Sequence, residues 1–302
     1  MLKKLLCLLL ALSLCLSFLA CDENDDDWDD DDEETTAEKD SQIPAPKNFQ
    51  ETTLIEEEDF LVKAKSIKVT NNEWAYQDYI INLYFENNTD HTLSFTIDGG
   101  VFNDVSVPGY YQFEIPAGKK SNDSLSFSTH LMELAGITQV TEILLYFETS
   151  YDDQETGWTE LSTYATTIYP EGLSSHTPYV HTPAKDEVLF YEDEDFIVRI
   201  MDVLDEDGGV YALKVYFYNK TQETFEIFLS NSAFNDYLMG DANFWNCRIY
   251  PESHAVHELS WDRNLLEEND IETVEKIWLT FSFTNPDDWN DYISVENEFD
   301  AF

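Results

Sequence analysis

The stretch "LYFENNTDHTLSF" (residues 83–95) returns as "VYFYNKTQETFEI" (residues 215–227). Both read as strand, turn, strand. Leu83 and Phe85 alternate with Tyr84 and Glu86; Leu93, Phe95 and Ile97 alternate with Ser94 and Thr96. A period of two with large apolar residues marks a strand that buries one face. The Asn, Thr and Asp between the two runs are turn formers, because their short polar side chains bond the local backbone.

Outward from this stretch the match continues in order. "TLIEEEDFLVKAKSIKV" (53–69) pairs with "VLFYEDEDFIVRIMDVL" (188–204), and "VFND" (101–104) with "AFND" (233–236). "QFEIPAGKK" pairs with "NCRIYPESH", and "GITQVTEILLYFET" (136–149) with "DIETVEKIWLTFSF" (270–283). The offset holds at 132 to 136 residues, so the folded part is a duplication. "PEGLSSHTPYVHTPAKD" (170–186) is rich in turn and linker residues and separates the copies. Each copy is expected to fold alone.

Tyr111, Phe113 and Ile115 alternate in the same way, as do Leu125 and Phe127. "STHLMELAGI" (128–137) and "WDRNLLEENDI" (261–271) predict a short helix between strands, with Ser128 or Asp262 as cap. Many short strands in about 115 residues predict an all-β fold of two tandem immunoglobulin-like β-sandwich domains. The run "LYFENNTD", "VFND", "IPAGKKSNDSLSFS", "LAGI" and "LYFET" resembles the telokin-like, immunoglobulin-like repeat of uncharacterised Gram-positive surface proteins. The resemblance covers most of residues 60–170 and, more weakly, 196–302. The second copy departs from it at "YPESHAV", which replaces "PAGKKSN". The resemblance implies an exported sandwich module and no activity.

The chain begins "MLKKLLCLLLALSLCLSFLAC". A basic start, a leucine-rich run and a small residue are the layout of a secretory signal. "FLAC" resembles the bacterial lipoprotein box, which implies that Cys21 becomes the N-terminus and carries lipid. Eleven acids fill the thirteen positions from 22 to 34. Like charges repel and almost nothing there is apolar, so the segment is expected to be a disordered tether. Stretched fully, it would reach roughly 90 Å, at about 3.3 Å per residue. The expected layout is a signal peptide at 1–20, tether at 21–48, first sandwich at 49–170, linker at 171–186 and second sandwich at 187–302.

The net charge is −46. The signal takes away two lysines, and the folded part still carries about −37 once the tether's acids are set aside. Such a surface repels phosphates, so nucleic acid is excluded as a partner; it attracts cationic partners. Of four cysteines, two leave with the signal and Cys21 is lipidated, which leaves Cys247 alone. It aligns with Phe113, an inward position, and reads as a core residue.

No hydrolase elbow, phosphate loop or zincin helix is present in the sequence. "HAVHE" (254–258) places two histidines three apart on a strand, where they face opposite ways. "DVLDEDGG" (202–209) and "TNPDDWND" (284–291) have acids but not the EF-hand spacing, and turn geometry explains them. No metal site, no cofactor and no catalysis are expected. Aromatics at predicted turns and strand ends are the candidate ligand contacts: Trp74, Trp158, Trp245 and Trp289, with Tyr110 beside them. The expected function is a lipid-anchored cell-surface protein, on the extracellular face of the membrane, with a non-catalytic binding or interaction role. A carbohydrate or cell-wall polymer module and a structural spacer without ligand are the alternatives. The expected partners are the membrane, through lipid on Cys21, and an envelope polysaccharide or surface protein.

Overall fold

The computed structural model describes residues 43–71, 77–153, 157–205, 209–240, 242 and 246–301. The signal, Cys21 and nearly all of the tether lie outside the described residues. The alternating runs form strands throughout. The first half contains β1 (Thr52–Glu56), β2 (Phe60–Asn71), β3 (Gln77–Asn87), β4 (Leu93–Phe102), β5 (Val105–Ile115), β6 (Lys120–Ser128), β7 (Ile143–Asp153) and β8 (Gly157–Ile168). The second contains β9 (Val188–Glu192), β10 (Phe196–Asp205), β11 (Val210–Asn219), β12 (Phe225–Phe234), β13 (Tyr237–Leu238), β14 (Cys247–Ile249), β15 (His254–Asp262), β16 (Lys276–Asn285) and β17 (Asp288–Asp300). β13 and β14 together stand where β5 stands in the first half.

In the first half, the order β1-β2-β3-β6 faces the order β8-β7-β4-β5. The opening stretch matters because β3 and β4 lie in opposite layers, so its turn carries the chain across the sandwich. A buried asparagine holds that arch. Asn87 donates to the carbonyls of His91 and Ile115, both at 2.8 Å, and accepts from the Thr89 amide at 2.8 Å and hydroxyl at 2.7 Å. Asn219 repeats the device, donating to Glu223 O at 2.7 Å and accepting from the Thr221 amide at 3.0 Å.

The repeat also reaches features the side-chain pattern does not show. Asn103 and Asp104 both have positive φ, 48° and 65°, as do Asn235 and Asp236, 46° and 73°. Two successive positive φ values make the tight turn that suits a twisted hairpin. Bulges recur too: register shifts between Ala64 and Ser66, and again between Ile200 and Asp202.

Each half has its own core. Phe85 meets Phe95 at 5.0 Å and Phe102 meets Phe127 at 4.9 Å across the layers of the first. Phe196, Phe217, Phe281 and Phe283 fill the second. Such ring pairs add about 0.5–1.5 kcal/mol each beyond area burial. Cys247 is fully buried there and pairs with Ile227, as Phe113 pairs with Phe95. Trp261 lies in the same core, but Trp278 sits half-exposed on the outer face of its sheet and fills no volume near Cys247. The short helices form at α1 (Thr129–Leu134), capped by Ser128, and α2 (Asn264–Glu268). Arg263 occupies the second cap position without a side-chain bond, while Asp262 accepts the Asn264 amide at 2.9 Å.

Two boundaries differ from the expectation. Ile43, read as tether, is 1% exposed in the first core, and the Lys47 amide donates to Glu171 at 2.7 Å. Ile43 is the one large apolar residue between 35 and 48, and burying it draws the neighbouring chain onto the sandwich. The halves also share a sheet. β5 meets β15 in parallel at Val105 and His254, giving the eight-strand order β8-β7-β4-β5-β15-β11-β10-β9.

Candidate functional site

The join between the halves gathers an ion-paired arginine, a stacked pair of tyrosines and two buried serine hydroxyls. It begins with a bulge in β4, where register shifts between Ile97 and Gly99. Gly99 has φ +128°, and a Cβ there would sit 2.8 Å from Val107 O, so only glycine fits. A bulge re-aims a side chain, and here Asp98 binds the Arg248 Nη1 of the second half. Cys247 and Ile249 point into the second core, so Arg248 between them points the other way, toward the join. Its Nη2 donates to Glu226 at 2.7 Å. Burial alone would lower the Arg248 pKa, but the bond to Glu226 and the charge of Asp98 outweigh it and hold the group above its ordinary range.

Behind this pair the contact is close-packed. The Tyr250 ring stacks on Tyr146 at 4.3 Å, with planes 5° apart. Burial pushes both phenols up. The Ser106 and Ser253 hydroxyls meet at 2.7 Å, the Tyr250 amide donates to Ser106 Oγ at 3.2 Å, and Ser253 Oγ donates to Tyr250 O at 2.8 Å. The His254 amide donates to Asp104 O at 2.7 Å. Both serines are 1% exposed and spent on each other, so neither is placed as a nucleophile.

A cleft of about 490 Å³ opens beside the Arg248 pair. Its floor is the outer face of the first half's sheet, with Tyr146, Glu148 and Thr163; its wall is two turns of the second half, with Thr224 and Asp287. A second cleft of about 580 Å³ lies where the α1 loop, the segment after β8 and the second half meet. That segment, expected as a linker, is held in place. The Tyr179 amide donates to Asp104 at 3.1 Å, and His181 pairs with Glu187 at 2.9 Å with side chains 8% and 4% exposed. His181 also stacks on Tyr216 at 4.0 Å, and the Tyr216 hydroxyl meets His254 Nδ1 at 2.7 Å. Burial, then the neighbouring His181, lowers the His254 pKa to about 4. His257, on the other parity of β15, is lowered to about 4 by burial and then by His130.

The join is not where the candidate tryptophans stand. Trp74 and Trp245 lie outside the described residues. Trp158 and Trp289 fall within β8 and β17, but their side chains lie outside the described set. Tyr110 is 68% exposed on β5. No group of three or more metal-ligating side chains is assembled among the described residues, and no helix among them is long and apolar enough to cross a membrane. Sequence reading missed Asp98, Tyr146, Arg248 and Tyr250. A signal exists for Tyr250 alone of the four: with Ser253 and His254 it falls in "YPESHAV", the stretch where the second copy departs from the first.

No family model and no curated protein matches the chain. Among solved structures, a protein of unknown function from Porphyromonas gingivalis W83 is 12% identical, covering 80% of this chain and 100% of its own, at a TM-score of 0.21. Red sea bream transglutaminase is 10% identical over 76% of this chain, with a TM-score of 0.20, and the exo-chitosanase CsxA of Amycolatopsis orientalis is 11% identical over 76%, with a TM-score of 0.20. The chain spans 30% of the transglutaminase and 26% of the chitosanase.

Proposed function

We propose that the chain is a lipid-anchored cell-surface protein with a non-catalytic binding role, and that the join between its halves is the ligand surface. The observation that carries this reading is the cleft walled by both halves, with polar side chains converging from Asp98, Glu148 and Asp287. A site that needs two halves held in one register gives a reason for the shared sheet. The "FLAC" box and the acidic run after it support display on the outer membrane face, through lipid on Cys21. The test has two arms. A Cys21→Ala chain is expected to leave the membrane fraction and appear in the medium; full membrane retention would overturn the anchor. The released chain is then screened against envelope polysaccharides and surface proteins, and an empty screen would favour a spacer without ligand.

One observation favours a second reading, a carbohydrate or cell-wall polymer module. Trp278 is half-exposed in a cross-strand row with Ala233 and Leu238, the last 73% exposed. The Lys276–Glu298 pair, at 2.6 Å, lies beside it. An indole with flanking polar groups suits a sugar ring. Loss of polymer binding in Trp278→Ala, with cleft variants unaffected, would establish this second reading.

A further inference from the structure

We propose that the β12–β13 turn of the second half, with Asp236, Tyr237 and Leu238, docks onto the start of β6 in a second copy of the chain, repeating between molecules the contact that joins the halves within one. The join uses two unlike surfaces. The first half gives the start of β5 and the second half the start of β15, with Val105 beside His254. Because the halves are duplicates, each surface exists twice and is used once. Tyr237 and Leu238 correspond in the repeat to Val105 and Ser106, and Lys119 and Lys120 to Ser253 and His254. The backbone agrees at both surfaces. The Asn103 amide donates to Glu142 O at 3.1 Å, and the Asn235 amide to Lys276 O at 3.0 Å. The Asn219 amide donates to Ser253 O at 3.0 Å, and the Asn87 amide to Lys119 O at 2.9 Å.

The unused pair of surfaces is open. Val105 and Ser106 are 0% and 1% exposed inside the join, whereas Tyr237 and Leu238 are 49% and 73% exposed. β13 and β6 each stand last in the order of their sheet. An end strand offers unpaired backbone to another chain. Toward its far end β6 is closed, because the Tyr111 hydroxyl accepts the Ser126 amide at 3.0 Å. That leaves the end at Lys120, and the matching end of β15 is the part that the join uses.

The unused surfaces also depart from the join in ways that match each other. In the join, Ser106 Oγ accepts the Tyr250 amide at 3.2 Å and meets the Ser253 hydroxyl at 2.7 Å. In the unused pair, Leu238 replaces Ser106, and Pro116, which has no N–H to donate, replaces Tyr250. The apolar stem of Lys119 replaces the Ser253 hydroxyl. A polar set is thus exchanged for an apolar one on both sides at once. Pro116, Ala117, Lys119 and Lys120 are all exposed. At the turn, Asp104 O accepts the His254 amide at 2.7 Å, and the same placement sets the exposed Asp236 beside the two lysines. Lys120 already pairs with Glu86 at 3.0 Å, but Lys119 makes no ion pair among the described residues. A sugar polymer would account for the exposed Tyr237 but not for the paired change at Pro116 and Lys119. A contact between unlike surfaces does not close as a twofold dimer does, so copies add head to tail.

The experiment follows the mass of the Cys21→Ala chain by sedimentation equilibrium from micromolar to millimolar concentration. Salt at ~0.15 M screens the repulsion between two acidic chains. The mass is expected to rise with concentration past that of a dimer. Leu238→Asp, at an exposed position, is expected to weaken association about tenfold, the effect of losing about 1.4 kcal/mol of buried apolar contact. Lys119→Glu with Lys120→Glu is expected to weaken it as much from the other side. Tyr237→Ser takes the place of Leu238→Asp if that variant melts early. Mixed together, the leucine and lysine variants are expected to form a dimer and nothing larger, since each keeps the surface the other lacks. An unchanged chain that stays monomeric at every concentration would overturn the proposal. A mixture that stays monomeric would also overturn it, as would lysine variants that associate like the unchanged chain, the mark of β13 meeting itself. Loss of polysaccharide binding in Leu238→Asp, with no self-association in the unchanged chain, would give this surface to a wall polymer instead.

Discussion

The hydroxyls of Ser106 and Ser253 meet at 2.7 Å although 147 residues separate them along the chain. Their bond sits inside the join, next to the stacked Tyr146 and Tyr250 rings, and links the melting of one half to the other. The intact chain is therefore expected to show a single calorimetric transition. Residues 41–172 and 184–302 expressed separately are each expected to melt cooperatively, because each keeps its own core, Ile43 included, but at a lower temperature. Two well-resolved transitions in the intact chain would mean the join contributes little. Ser253→Ala leaves Ser106 without its hydroxyl partner and is expected to cost about 1–3 kcal/mol.

Asn103 combines two roles that substitution separates. Its side chain accepts the amides of Thr141 at 2.8 Å and Glu142 at 3.0 Å, and its backbone has φ of 48°. Asn103→Gly keeps the backbone freedom and loses the bonds. Asn103→Ala loses both and is expected to be less stable than the glycine variant by about 1–2 kcal/mol, the cost of a left-handed residue with a Cβ. Denaturant midpoints of the two variants check this. Asn235, which accepts the amides of Glu275 and Lys276 at 2.7 and 2.9 Å, is expected to behave alike.

Cys247 is fully buried, and burial pushes its thiol well above the ordinary range. A bulky maleimide is expected to label it only after denaturant is added. Cys247→Ser is expected to cost about 1–3 kcal/mol, since a hydroxyl enters an apolar site without an assured partner. Rapid labelling of the folded chain would contradict the buried position.

Stability is expected to fall on acidification. His254 and His257 each have a folded pKa of about 4, against an ordinary value of 6.5. The folded state therefore keeps them neutral while the unfolded chain takes up protons. Stability from this source is fully present above pH 6.5 and is lost as pH falls to about 4, by at most about 3 kcal/mol per histidine. Melting temperatures across this window, compared with a His254→Gln variant, measure the contribution; the variant's profile is expected to be flatter.

The strands, the arches and the buried cysteine were legible because a duplication shows every structural position twice. Leu83 and Val215 alternate with polar neighbours for one reason, and the agreement of two copies makes the pattern secure. The join was not legible from the same comparison. It is built where the copies disagree: Arg248 stands opposite Glu114 and Tyr250 opposite Pro116. Sequence similarity reports what both halves need in order to fold. A contact that each half makes with the other asks for different residues on its two sides, so it registers only as divergence. Asp98 was hidden for a further reason, since a bulge breaks the period of two by which a strand is read.

The segment from Thr177 to Glu187 is fastened to both halves, by the Tyr179 amide on one side and the His181 ring on the other. Residues 182–186, Lys185 among them, are exposed. Covalent continuity there is redundant with the shared sheet, the Arg248 bridge and the ring stack. A protease that cuts after Lys185 would thus produce two fragments that go on migrating as one particle. Scission of this exposed connection would nick the chain without separating its halves.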